Sequence, residues 1–349
     1  MGGSRPGRLI AIVGSLVLVG VLSWLLYLAF AESLDAVRQP MTTFVPKSDS
    51  TELIHQVYKL IFVLAGAVFI GIMALTLAFS LIYRERPGQV ARQFHGNFRL
   101  EVIWTLIPVL IVVAMAVPTF STMAAINQPA PDNALKVIAI GHQWWWEFKY
   151  PELGITTANE LYLAEGRPVS VMLESTDVIH SFWVPQLSGK VDNVPGHTNH
   201  LWFTPNEARD EPYLGQCAEF CGLSHANMRF RVFVKEQATF DTWSKAQAGE
   251  RVAPTSDLAK AGEQQFIASG CSACHTINGQ QGAVGVIGPN LTHVGARTTI
   301  ASGIMENNSE NLHKWLSNPP GVKPGSLMPN LGLSKDAIDK LVAYLQGLK

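Results

Sequence analysis

Twelve residues hold two cysteines, a histidine and a methionine: Cys217-Ala-Glu-Phe-Cys221-Gly-Leu-Ser-His225-Ala-Asn-Met228. A second histidine lies upstream, in Asp177-Val-Ile-His180-Ser-Phe-Trp. Thiolate, imidazole and thioether make a soft donor set that suits copper. Zinc would be satisfied by cysteine and histidine and would gain nothing from methionine. Two cysteines four apart on one loop can each bridge the same two ions, with a histidine capping each end. Bridging thiolates spread an electron over both metals, so little geometry changes when it moves. A disulfide between Cys217 and Cys221, which an oxidising exterior would permit, leaves His225 and Met228 at their offsets unexplained.

A second constellation, Cys271-Ser-Ala-Cys274-His275, has the spacing of a c-type haem attachment site. The two thiols add to the haem vinyl groups and the adjacent histidine binds iron. Five residues can match by chance, so the surroundings matter. A helix-like segment ending at Ser269-Gly270 precedes the motif, and Gly288-Pro289-Asn-Leu291 follows it. Pro324-Gly-Ser-Leu-Met328-Pro329 offers a methionine for the other side of the iron. Met305 competes, but it sits among Glu and Asn without a flanking proline. His293 and His313 are further candidates, although surface histidines are commoner. His275, immediately beside the C-x-x-C, disfavours a structural zinc or a redox disulfide there. All four cysteines of the chain are then assigned, two to each site.

The elements that must position these groups are legible in the distribution of apolar residues. Of 349 residues 48% are apolar and 15% charged, against about 25% charged in soluble domains. A net charge of −1 excludes a generally basic nucleic-acid binder and an acidic disordered tail. Leu9–Ala31 and Ile61–Tyr83 carry no charge, and a third run extends from Val102 to Phe120 with none before Asp132. Each can supply the ~20 residues that cross a bilayer. Transmembrane helices are predicted at about 57–83 and 102–123, within a membrane region of 32–131. The loop between them holds Arg84, Arg86, Arg92 and Arg99 against Glu85 and Glu101, which places it in the cytoplasm. Everything after Phe120 is then outside, where covalent haem attachment takes place. Residues 1–31, with Arg5 and Arg8 at their start, read as a signal peptide or an N-terminal anchor. The Ala29-Phe30-Ala31 triplet tips this towards cleavage, and both options give one topology.

From Asp132 the pattern changes. Ala134–Ile140, Trp144–Tyr150, Val169–Glu174, Val178–Val184, His200–Thr204 and Arg229–Lys235 are short β-branched and aromatic runs between turn signals, which predicts a β-sandwich over 132–236. That region holds 13 acids and 8 bases, a docking face for a basic partner or ordinary solvated charge. Residues 237–256 read as a linker. Ser256–Ser269, Ser309–Ser317 and Ser334–Leu348 read as helices of a second domain, 257–349. In the last of these Ile338, Leu341, Val342 and Leu345 fall at i, i+3, i+4 and i+7 behind a Ser334 cap.

The pattern C-x-E-x-C-x-x-x-H-x-x-M with an upstream V-I-H-S-F is similar to the dinuclear copper site of cytochrome c oxidase subunit II. Glu101-Val-Ile-Trp104-Thr-Leu-Ile-Pro108, Gly141-His-Gln-Trp144-Trp-Trp and Lys190-Val-Asp192-Asn-Val-Pro195-Gly196 also resemble that family, in matching order over about 50–236. Residues 257–349 resemble a class I cytochrome c. The resemblance implies a multidomain chain: a transmembrane helical hairpin, an all-β cupredoxin-like sandwich and an all-α cytochrome c domain. It also implies roles. Cys217 and Cys221 bridge two coppers, His180 and His225 are terminal ligands, and Met228 and the Glu219 carbonyl are weak ligands. The Glu219 carboxylate faces a magnesium ion at the boundary with subunit I. Trp144 matches the aromatic residue through which electrons reach the copper. Glu101 matches a carboxylate near a proton-uptake entrance, although the helix dipole favours an acid there in any case. Aromatic core filling accounts for at least Trp145 or Trp146. Cys271, Cys274, His275 and Met328 hold one covalent haem c.

The expected function is that of an electron-input subunit of a caa-type terminal oxidase, an oxidoreductase and translocase. It takes electrons from a cytochrome c or cytochrome bc-type donor and passes them through haem c and copper to the haem of subunit I. Oxygen reduction coupled to proton pumping belongs to the complex, because no histidine-rich transmembrane helix is present here. Subunit I, other oxidase subunits and membrane lipid are the implied partners, with no nucleic acid. The inner membrane, with both redox domains on its periplasmic face, is the implied location. Fusion would raise the cytochrome's effective concentration at the copper domain, limited by linker reach. A copper-containing nitric oxide reductase subunit or a membrane-tethered electron carrier would carry the same copper module. The intact ligand set disfavours a quinol oxidase, and the membrane hairpin disfavours nitrous oxide reductase.

Overall fold

The computed structural model describes residues 5–32, 41–84, 87, 88, 90 and 95–349. Glu85, Arg86 and Arg92 of the basic loop lie outside these, as do the side chains of Arg5, Arg8 and the Ala29-Phe30-Ala31 triplet. The chain divides into two compact units, Met1–Phe44 with Glu52–Gln128, and Val45–Thr51 with Pro129–Lys349.

The first unit contains α1 (Arg5–Glu32), α2 (Asp49–Ile82) and α3 (Phe98–Ile126). At ~1.5 Å per residue, α2 and α3 exceed the ~30 Å of a bilayer's hydrocarbon core. Their apolar side chains, such as Phe69, Ile72, Ile107 and Leu110, point outward, as they would towards lipid. Both helices begin earlier than the apolar runs because polar residues complete their first turns. Asn97 caps α3 by accepting from Leu100 N, and the Glu101 carboxylate accepts from Asn97 N at 3.1 Å.

In the second unit, two five-stranded sheets enclose one core. The first contains β1 (Leu135–His142), β2 (Trp145–Tyr150), β3 (Ile155–Ala158), β5 (Val169–Ser175) and β8 (Asn199–Phe203), in the order β3-β2-β1-β5-β8. In the second, β4 (Glu160–Ala164), β6 (His180–Trp183), β7 (Val191–Asn193), β9 (Tyr213–Cys217) and β10 (Arg229–Lys235) run in the order β4-β10-β9-β6-β7. The pairs β1–β5 and β4–β10 are parallel, and the fold is cupredoxin-like. Alternation along β2 turns Trp146, Phe148 and Tyr150 inward. The Trp146, Phe182 and Phe230 rings meet there with centroids 5.0 to 5.9 Å apart. Of the three consecutive tryptophans, Trp146 fills the core, Trp145 stacks on His142, and Trp144 lies in the turn before β2 rather than in the strand.

The segment read as a linker, 237–256, departs from that expectation. Gln237–Gln247 forms α4, whose Phe240 is buried in the sandwich core and whose Trp243 stacks on Tyr162 of β4 at 4.3 Å. An eleven-residue helix with only two large apolar side chains gives too weak a period to stand out.

Beyond it lie α5 (Asp257–Ala268), α6 (Ser309–Ser317), the short α7 (Pro319–Val322) and α8 (Lys335–Gly347), with a two-stranded ribbon of β11 (Thr299–Ile300) and β12 (Met305–Glu306). Ser256, Asn308 and Ser334 cap α5, α6 and α8 through their side chains. Ile338, Leu341, Val342 and Leu345 of α8 are all buried. Phe266 of α5 meets Tyr344 of α8 at 6.0 Å, centring a mainly helical core to which Ile300 of β11 adds.

Phe240→Ala is expected to destabilise the sandwich by ~3–5 kcal/mol, whereas Thr239→Ala on the exposed side of α4 changes it by less than ~0.5 kcal/mol. Denaturant unfolding followed by tryptophan fluorescence measures both, and equal small effects would show that α4 is a passive tether.

Candidate metal centres

Five soft donors converge at one end of the sandwich because three strand ends meet there. His180 opens β6 and Cys217 closes β9, which pair so that Phe182 faces Cys217. The loop from β9 to β10 then carries Cys221, His225 in a single 3-10 turn, and Met228 directly before β10. Backbone bonds pin that loop: Cys217 N donates to Met228 O at 3.0 Å and Ala218 N to Ser181 O at 2.9 Å.

The two Sγ atoms stand 3.8 Å apart and both cysteines are free, well beyond the ~2.05 Å of a disulfide. His180 Nδ1 is 3.8 Å from Cys217 Sγ, and His225 Nδ1 is 3.6 Å from Cys221 Sγ. Met228 Sδ lies 3.9 Å from Cys221 Sγ, and the Glu219 carbonyl 3.2 Å from Cys217 Sγ. Each sulfur therefore faces the other sulfur, one imidazole nitrogen and one weak donor. That is the arrangement a thiolate-bridged metal pair needs. His180, Cys217, Cys221 and Met228 are all buried. The Glu219 carboxylate is exposed and turns back to accept from Phe220 N.

Electrostatics follow this geometry. The contact with Cys221 holds the Cys217 thiol well below its usual range and pushes the Cys221 thiol up, so the pair titrates together. Burial works against the charged form of His180, but Asp177 and Cys217 outweigh it and raise the imidazole. Asp177 likewise pays for burial, yet bonds from His180 Nε2 and from the Gln143 and Val178 N–H groups hold its carboxyl below the usual range. The 2.7 Å Asp177–His180 bond leaves Nδ1 facing the sulfurs. Gly141 makes room for this ring, since a Cβ there would lie 2.6 Å from His180 Cδ2. Asp177 stood in the histidine motif, but nothing in its spacing marked it as the group that aims the ring.

The second site is a cavity whose walls include Cys274, His275, Pro289, Leu291, Trp315 and Met328. Cys271 sits half-buried in the 3-10 turn that follows α5. His275 Nδ1 lies 2.7 Å from the Pro289 carbonyl, which leaves Nε2 for a metal. Burial lowers its pKa and so favours the neutral ring that a metal requires. The competing candidates separate here. Met328 lines the cavity, whereas Met305 packs in the helical core and is not among the lining residues. His293 Nε2 is 3.2 Å from the Gly249 carbonyl, and His313 pairs with Asp339 at 3.3 Å. Cys274, the oriented His275 and Met328 line this largely apolar cavity, and Cys271 stands three positions before Cys274 in the same turn, a set that fits a covalently held haem.

Sandwich residues Gln143, Trp144, Trp145 and Asn159 line the same cavity. Trp144 is buried, and its Nε1 donates to the Cys221 carbonyl at 2.9 Å. Its own carbonyl accepts from Lys323 Nζ at 2.5 Å and from Ser302 Oγ at 2.7 Å. Gly325, with φ at +83°, brings the methionine loop against the indole, where a Cβ would lie 2.8 Å from the ring. Trp144 therefore touches both sites, while Glu101 belongs to α3 and caps its first turn. Lys323 and Glu160, two buried charged residues of this region, carried no signal in the sequence.

Comparison with known proteins gives three family models along the chain. They are the transmembrane domain of cytochrome C oxidase subunit II at residues 39–122, its periplasmic domain at 154–235, and cytochrome c at 259–349. The chain is 39% identical over 319 residues to cytochrome c oxidase subunit 2 of Alkalihalophilus pseudofirmus, covering 88% of this chain and 91% of that protein. To cytochrome c oxidase subunit 2 of Bacillus sp. strain PS3 it is 37% identical over 286 residues, covering 76% and 80%. Among solved structures, the periplasmic domain of subunit II of cytochrome oxidase of Bradyrhizobium japonicum is 29% identical, covering 34% of this chain and 95% of that one with a TM-score of 0.32.

Asp177→Asn is expected to weaken copper binding by about 10–100-fold, the usual effect of removing a carboxylate behind a ligating histidine. Competition of the metal-free chain against a copper chelator measures this. Unchanged affinity would show that the carboxylate does not orient His180.

Proposed function

The chain belongs to the cytochrome c oxidase subunit II family and carries a cytochrome c domain, and from that membership we propose that it is the electron-input subunit of a terminal respiratory oxidase. The observation that carries this reading is the pair of free thiols 3.8 Å apart, each facing one imidazole nitrogen. Cys217 and Cys221 would bridge two copper ions, His180 and His225 would hold the outer positions, and Met228 and the Glu219 carbonyl would complete them weakly. Cys271 and Cys274 would bind one haem covalently, with His275 and Met328 on its iron. When bound, these groups supply one-electron chemistry, relaying electrons from an external donor to the haem of subunit I, where oxygen is reduced to water and protons are pumped.

The chain's own residues orient, insulate and connect. Asp177 fixes the His180 ring, and the Pro289 carbonyl fixes His275. The buried positions of Cys217, Cys221 and Met228 would keep water from metal ions held there, so that the surrounding dipoles would need to reorganise little on electron transfer. Trp144 offers a contiguous path from the cavity to the Cys221 carbonyl. The exposed Glu219 carboxylate is suited to a magnesium ion at the contact with subunit I, and Glu101 to the start of a proton route at the cytoplasmic side. α2 and α3 would anchor the chain in the inner membrane against lipid, with both redox domains on the periplasmic face. A cytochrome c or cytochrome bc-type protein would be the donor.

Metal analysis and optical spectra of the purified full chain test this. Two coppers and one covalent haem per chain are expected. Cys217→Ser is expected to abolish the near-infrared copper absorption and leave the haem bands, whereas Met328→Leu alters the haem spectrum and Met305→Leu does not. Survival of the copper band in Cys217→Ser would contradict the assignment.

A further inference from the structure

Two buried charged side chains near the haem cavity reach in opposite directions between the sandwich and the helical domain. Glu160 opens β4 of the sandwich and is 2% exposed. Its Oε1 accepts from Thr298 N at 2.7 Å, Thr298 Oγ1 at 2.6 Å and Thr299 N at 3.2 Å, all in the helical domain. Lys323 belongs to the helical domain and is 4% exposed. Its Nζ donates to the Trp144 carbonyl of the sandwich at 2.5 Å and to Ser302 Oγ at 2.7 Å, and that hydroxyl donates to the same carbonyl.

The contacts around them run the same way. Arg229 N donates to Ser302 O at 3.2 Å, Arg231 Nη1 to Thr298 Oγ1 at 3.1 Å, and Ser224 Oγ to Pro324 O at 2.5 Å. The last joins the copper-ligand loop to the methionine loop. Gly325 lets that loop lie on the Trp144 ring. Exposed interfacial charges contribute little, but these two groups are dehydrated: burial raises the Glu160 carboxyl and lowers the Lys323 ammonium to about 7, and removing either one leaves its buried hydrogen-bond partners unsatisfied, which is costly whatever the charge. The connection through 248–256 is itself fastened, with Arg251 N donating to Asn278 O and its guanidinium paired with Glu263. A cytochrome roaming on a loose tether would need none of these contacts.

We propose that Lys323 and Glu160 are positioning residues that clamp the haem-binding domain in one docked place on the copper domain, with the methionine loop seated on Trp144. The proposal rests on the functional reading above in one respect: the clamped geometry is the one from which an electron passes to the copper site. Transfer then occurs within a standing complex and needs no search by the tethered domain. Either clamp lost, the docked population falls, and transfer waits for redocking.

The test uses the detergent-solubilised full chain, carrying haem and copper, in unaltered, Lys323→Met and Glu160→Gln forms. Hydrogen–deuterium exchange is read at the Thr298, Thr299 and Arg229 amides, which are protected only when docked. Each variant is expected to raise exchange there about tenfold, as leaving a buried hydrogen-bond partner unsatisfied would, with α5 and α8 unchanged. Flash reduction of the haem then gives the haem-to-copper rate. In the unaltered chain it is expected to be independent of solvent viscosity. In the variants it is expected to be about tenfold slower and to fall further with added glycerol, in Glu160→Gln at unchanged midpoint potentials. Exchange and rates unchanged in both variants would overturn the clamp, as would a slower rate with a shifted potential and no viscosity dependence. Because Glu160 lies outside the helical domain, Glu160→Gln gives the answer should Lys323→Met fail to fold. Absence of any transfer in the unaltered chain would contradict the functional reading instead, and the exchange result alone would then decide the clamp.

Discussion

The indole N–H of Trp144 is donated to the Cys221 carbonyl, and the carbonyl of the same residue accepts from Lys323 and Ser302. One residue in a turn is thereby held by the cysteine loop on one side and by the helical domain on the other. Neither site can shift far without moving it. The turn is where it is because β1 ends at His142 and β2 starts at Trp145, so Trp144 escapes the inward alternation that buries Trp146 in the core. The backbone N–H of Gln143, its neighbour, is spent on Asp177, the carboxylate that aims His180. Orientation of the His180 ring, closure of the cysteine loop and contact with the helical domain thus meet within two residues.

The donor cluster depends in turn on sheet pairing. β9 hands Cys217 to the site opposite Phe182 of β6, and β10 carries Met228 back into it. Between them Cys221 follows Cys217 by four positions and His225 follows Cys221 by another four, a spacing that only a tight, backbone-bonded loop turns into convergence. The contact between the two thiols holds Cys217 below its usual range and pushes Cys221 up, while the Asp177 carboxylate bonds to His180 beside them. The haem cavity uses the same economy of means: the Pro289 carbonyl aims His275, and caps at Ser256 and Ser334 start the two helices whose packing closes the helical core.

Much of this was legible from residue types. The membrane runs were long enough to name themselves, the C-x-x-C-H carried its own chemistry, and α8 declared its buried face through Ile338, Leu341, Val342 and Leu345. β9 was not legible, because Tyr213–Cys217 holds no β-branched residue and includes Gly215 and Gln216, and neither was β4, which opens on a glutamate. That glutamate and Lys323 look like ordinary surface charges in the sequence. Only tertiary contact reveals them as buried, since the partners Thr298 and Trp144 lie more than a hundred residues away in the chain. The linker was misread for a related reason: α4 owes its helix to packing of Phe240 and Trp243 on the sandwich, not to any strong period of its own. Domain docking is the part of the account that local sequence could least express.

The most direct test is to locate the metals by anomalous scattering at the copper and iron absorption edges, in crystals of the full chain. Two copper peaks beside Cys217 and Cys221 are predicted, with one iron between His275 and Met328 and the Trp144 indole lying between the two sites. A single metal at the cysteines, or an iron site turned away from Trp144, would contradict the account.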